Sequence, residues 1–125
     1  MVKPAPLALA IMCAIAAPGY DGQWDGTTSQ GPVVFSVSAN HVTAVTVGYA
    51  FGRCSGSKTF SNLNVEIVQT TPNSPGFAYG SGAPDGSSVQ IQGFFRSNTT
   101  ADGVVVFAEY PGCGDGFGLW TATKR

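Results

Sequence analysis

Charge is what this sequence has least of. Asp, Glu, Lys and Arg together make up 10% of its 125 residues, and the formal net charge is −1. There is no basic face for nucleic acid and no acidic tail for a cationic partner, so electrostatic recognition of a polyanion is not its business. Histidine is almost missing too. The single one, His41, sits in the turn Ser38-Ala39-Asn40-His41, and no Gly-x-Ser-x-Gly elbow accompanies it, which leaves Ser-His-Asp hydrolysis without its parts. With Cys13 falling in an apolar N-terminal leader, two cysteines and one histidine do not complete a tetrahedral zinc shell without a carboxylate, and no segment matches a calcium loop, so neither a cofactor nor a metal is expected. Strong helix formers are scarce after residue 20, which excludes an all-helical domain. No apolar run approaches the roughly 20 residues that span a bilayer as a helix.

What is abundant is turn and strand chemistry. Seventeen glycines and eight prolines stand among Thr, Ser and Val, a mixture suited to short strands and tight turns. The stretch Val89–Cys113 organises the rest. Val89, Ile91, Gly93 and Phe95 share one face of its first run and Gln90, Gln92, Phe94 and Arg96 the other, the period of a half-buried strand. Asn98 to Gly103 reads as the turn, with Asp102-Gly103 supplying positive φ, and Val104–Tyr110 as the return strand.

Residues 1–19 read as a separate unit. Lys3 precedes the short apolar run Ala5–Ile15, and Ala14-Ile15-Ala16 gives the small-x-small pattern of a signal-peptide cleavage site. Leu9 to Cys13 approximates a lipobox, from which Met12 departs. Residues 20–125 are then one domain, large enough for a single core, in a secreted or surface-exposed protein. With Cys13 in the leader, Cys54 and Cys113 remain as an even pair, which in an exported chain predicts one disulfide. Closing a loop of about 60 residues would stabilise the fold by about 4 kcal/mol on the chain-entropy model.

Along the chain, Tyr20–Gly31 places Trp24 inward on a first strand. Val33–Val37 and Val42–Phe51 form the next hairpin, with Val45, Val47, Tyr49 and Phe51 on one face. Gly52–Lys58 reads as a loop carrying Cys54, and Thr59–Gln69 as a strand with Leu63, Val65 and Ile67 inward. Phe77–Gly80 is a short strand, and Phe117–Lys124 closes the chain. Seven or eight strands at near-regular spacing predict an all-β domain, either an antiparallel sandwich or a small barrel.

The run Gly22-x-Trp24-x-Gly26-Thr-Thr-Ser-Gln-Gly31, then Val33-x-Phe35-x-Val37, Val42-Thr43, Cys54-Ser-Gly and the ending Trp120-Thr-Ala-Thr-Lys124, resembles a Gly/Ser/Thr-rich β-domain of exported bacterial proteins of unknown function. That resemblance implies a fold and no catalytic residues. The Gly-x-Trp opening is also similar to that of lipocalin- and avidin-type barrels, where an early tryptophan plugs one end.

Chemistry is thin. Glu66 and Glu109, the two glutamates, are the one pair that could serve a glycoside-active enzyme. Both fall opposite the apolar sets Leu63/Val65/Ile67 and Val104/Val106/Ala108, and so face solvent or a polar lumen. Four Asp-Gly pairs, at Asp25, Asp85, Asp102 and Asp115, read as turns. Aromatics near glycine-rich segments are the candidate ligand platforms: Tyr79 first, then Trp120, Trp24 and Tyr110. The expected function is non-enzymatic: binding, with a polysaccharide as the suited partner, or self-assembly of identical subunits through charge-poor strand edges.

Overall fold

The computed structural model describes residues 19–71 and 74–125. The leader expected over residues 1–19 lies outside the described residues except for Gly19. Among the described residues there is no helix, and ten strands form one antiparallel sheet: β1 (Gly22–Thr27), β2 (Pro32–Ser38), β3 (His41–Phe51), β4 (Cys54–Phe60), β5 (Val65–Glu66), β6 (Val68–Thr71), β7 (Ser74–Gly82), β8 (Ser88–Phe95), β9 (Thr100–Tyr110) and β10 (Gly114–Lys124). The hydrogen-bonded order is β4-β3-β2-β1-β10-β9-β8-β7-β6, with β5 on β3. The first and last strands are therefore neighbours in mid-sheet, Trp24 opposite Lys124. Lys124 Nζ also reaches the carbonyl of Gly19.

The sheet is rolled. Phe35 in β2 and Phe77 in β7 are five ladder steps apart, which in a flat sheet would separate them by about 24 Å. Their ring centroids are 5.3 Å apart. Trp24, Phe95 and Trp120 complete this interior, at 5.6, 6.2 and 5.6 Å from the Phe35 ring respectively. A second aromatic group, Tyr49, Phe51, Phe107 and Tyr110, fills the end where the disulfide lies. Cys54, first residue of β4, is bonded there to Cys113 in the β9–β10 turn, 59 residues away in sequence. The all-β class and the disulfide expected from sequence are both present, in a roll whose ladder stays open.

The extra strands come from two places that lack an apolar alternation. Gly52, at φ 59°, and Arg53 make a two-residue turn, so Cys54–Phe60 pairs back on β3 as a strand instead of forming a loop. Ser55 to Thr59 place no apolar residue on either face, so this segment gives no period-two signal, and its outer edge is unpaired among the described residues. Beyond it, Asn62 at φ 56° breaks the chain. Val65 and Glu66 then pair with β3, and Val68 and Gln69 with β7. This ribbon bridges the two edges of the roll at one end. Towards the other end β4 and β7 face each other unpaired.

The expected faces hold on β3, where Val45 and Val47 are buried, on Leu63, Val65 and Ile67, and on β8. On β9 they are inverted. Ala101, Val105 and Phe107 are buried, while Val104 and Val106 point outward. The turn is the cause: β9 already begins at Thr100, so Asp102-Gly103 lies inside the strand. Farther along, Ala108 and Glu109 oppose Asp115 alone in a bulge. Glu109 adopts φ 54° there and donates its N–H to Asp115 Oδ1 at 2.8 Å, which restores Tyr110 to the interior.

Candidate functional site

Inverting β9 turns an apolar row outward. On the exterior of β7–β10, Ala78, Gln92, Val104 and Leu119 stand opposite one another in register, and Gly80, Gln90, Val106 and Phe117 form the next row. Neither row contains a charge. Leu119 is 72% exposed and Phe117 61%, because the interior of β10 is already taken by Gly118, Trp120 and Ala122. The Phe117 backbone is held by Gln30 Nε2, which donates to its carbonyl at 3.2 Å. Over the small residues Ala78 and Gly80 lies an open groove of about 290 Å³, walled by Gln90, Gln92, Val104 and Val106 and touched by Tyr79. It offers two amides, each both donor and acceptor, beside apolar surface.

On the other side of β7, facing the unpaired edge of β4, is a smaller slot of about 40 Å³. Lys58 and Phe60 line it from β4, Ser81 from β7, Ser88 from β8 and Tyr110 from β9. The Tyr110 hydroxyl is buried without a hydrogen-bond partner. Burial, followed by the nearby Tyr49 and Asp85, pushes its pKa above the usual tyrosine value. Asp85, in the turn between β7 and β8, accepts from Ser87 Oγ and N–H at 2.6 and 2.9 Å. Those bonds hold its carboxyl below the ordinary range.

The candidate platforms are sorted by burial. Trp24 (0% exposed) and Trp120 (1%) are core rings, Trp24 donating Nε1–H to the Tyr20 carbonyl at 2.8 Å; neither presents a face to a ligand. Tyr110 is buried as well and reaches only the slot. Tyr79 is half-buried with its ring 5.4 Å from Phe60, at the edge where groove and slot meet. No protein-family model, curated protein or solved structure matches this chain.

The two glutamates are not brought together. Glu66 pairs with His41 at the first residue of β3, whereas Glu109 lies by Asp115 and Gly116, which abuts the Phe51 ring at the last. Eleven strand residues put roughly 30 Å between them, against the roughly 5–9.5 Å of glycosidase carboxyl pairs. His41 Nδ1 lies 2.7 Å from the Ala39 carbonyl. The aspartates are engaged locally: Asp25 with Arg125 at 2.8 Å, Asp102 with Arg96 at 2.9 Å, and Asp21 on the N–H groups of Ala39 and Asn40. Three of the four Asp-Gly pairs, expected as turns, lie inside strands; only Asp85-Gly86 is at a turn. Their glycines serve close packing: a Cβ at Gly26 would stand 2.2 Å from the Thr121 carbonyl.

Sequence reasoning did not single out Gln90, Gln92, Phe117 or Leu119. The available signal was that Phe117 and Leu119 have the opposite parity to Trp120, and a strand buries one parity only.

Proposed function

We propose that this chain is an exported, non-enzymatic binding domain that takes a neutral polysaccharide on the outer face of β7–β10. The observation that carries the reading is the charge-free double row with its groove: exposed Phe117, Leu119, Val104 and Val106 beside the amides of Gln90 and Gln92. Sugars have apolar C–H faces that lie on such side chains and hydroxyls that exchange hydrogen bonds with amides, and they need no counter-charge. Contiguous exposed apolar surface on a small domain ordinarily marks an interaction site. Export is supported by the disulfide, which persists in oxidising compartments.

Retention on insoluble polysaccharides tests this. Phe117→Ala and Gln92→Ala should each weaken binding about tenfold, roughly 1.4 kcal/mol, with the unfolding midpoint unchanged because both side chains are exposed. Tyr79→Ala is a poorer probe, since that ring packs on Phe60. A parent protein retained by no polysaccharide removes the reading.

A second reading, self-assembly of identical subunits, is favoured by one feature: the outer edge of β4 pairs with nothing among the described residues, and free edges recruit strands. Its signature is a concentration-dependent elution volume that Phe117→Ala leaves in place.

A further inference from the structure

The slot between β4 and β7 carries its own chemistry, independent of the groove. Tyr110 is 7% exposed, and its hydroxyl is among the few buried polar atoms with no partner. An orphaned buried hydroxyl is unfavourable unless something is delivered to it. Lys58 Nζ lies 5.9 Å from the Tyr110 ring centroid, and neither ion pair among the described residues involves it. Asp85 is near enough for its charge to act on both Lys58 and the Tyr110 hydroxyl, but its carboxylate is hydrogen-bonded to Ser87. An ammonium in no direct ion pair, an unused phenol and the hydroxyl-bearing Ser81 and Ser88 thus surround one hollow. We propose that this slot is a binding site for a single carboxylate group, held between Lys58 and Tyr110.

The size of the slot supports this class of ligand. About 40 Å³ is a few times the roughly 10–15 Å³ that one water requires. It admits a carboxylate and excludes a sugar ring, so the rest of the ligand must lie outside. A carboxylate accepts charge-assisted hydrogen bonds from the ammonium and the phenol together, which a neutral hydroxyl does with less strength. The group could belong to a free small acid or to a uronic-acid residue; the chemistry at the slot is the same.

Amide chemical shifts of the whole protein, followed while sodium acetate, sodium glucuronate or glucose is added at constant ionic strength, test the site. Saturable shifts at Lys58, Ser81 and Ser88 with both carboxylates, and none with glucose, are expected. Lys58→Met and Tyr110→Phe should each raise the acetate Kd about tenfold or more while the remaining spectrum keeps its dispersion. Glucuronate binding well above acetate assigns the source to a uronate, and equal affinity to a free acid. Shifts that are linear in salt, that glucose reproduces, or that survive both substitutions would overturn the proposal.

Discussion

Gly93 and Gly103 face each other across the β8–β9 ladder, and the ring of Trp120 lies over both. A methyl group at Gly93 would stand 2.8 Å from Trp120 Cη2, and one at Gly103 only 1.9 Å from the Gln92 carbonyl oxygen. The two glycines are therefore spaces, kept so that an indole can enter the roll. Gly103→Ala should destabilise by about 2–3 kcal/mol, since the obstruction is backbone. For Gly93→Ala the obstruction is rings, and Trp120→Phe should recover part of the loss. Chemical denaturation of the two single variants and the pair measures the coupling; strictly additive losses would contradict it.

That packing also explains what was legible from sequence. Alternation was readable wherever a strand buries one face on a bulky row, as in Val89, Ile91 and Phe95 or Val45 and Val47. It failed at Asp102-Gly103, because a glycine making room for a distant tryptophan has the same local signature as a glycine making a turn. The displaced turn shifted β9 by one parity, and with a period of two that exchanges the faces completely. The outer row Val104/Val106 was hidden for this reason. Trp120 was equally opaque: small neighbours that would expose a ring on a surface are the ones that admit it to a core. In β4, Ser, Gly and Lys leave no pattern to read.

The disulfide ties the free edge strand β4 to the β9–β10 turn. Cys54→Ser should cost about 4 kcal/mol, within the range of roughly 2–5 for natural bonds in small domains. The aromatic group Tyr49, Phe51, Phe107 and Tyr110 should lose near-ultraviolet dichroism first. Equal unfolding midpoints for oxidised and reduced protein would contradict this.

Ala39 and Asn40 form the β2–β3 turn with φ of 49° and 63°. Both values are left-handed, the pair that a two-residue hairpin needs, and alanine suits it poorly. Ala39→Asn keeps the hairpin and removes strain, so it should raise stability by about 0.5–1 kcal/mol. Asp21→Ala should lower it by about 1 kcal/mol, because the N–H groups of Ala39 and Asn40 both donate to that carboxylate. Thermal unfolding of the two variants gives the opposite signs directly.

Burial raises the pKa of Tyr110 above its unfolded value of about 10. The protonated form is favoured in the fold, so its contribution is complete below about pH 10 and is lost as pH rises through the folded value. Tyr110→Phe should therefore unfold less steeply than the parent above about pH 10. At neutral pH the variant should be at least as stable, since the hydroxyl it removes has no partner. Parallel pH curves for the two proteins would contradict the assignment.

The most direct test of the binding face is chemical-shift mapping with a soluble neutral oligosaccharide. The account predicts perturbations confined to the outer rows of β7–β10, with the side-chain amides of Gln90 and Gln92 and the ring of Phe117 moving most, and no change at Trp24, Glu66 or the Lys58 slot. Perturbations centred elsewhere, or none with any neutral glycan that the protein retains in insoluble form, would contradict it.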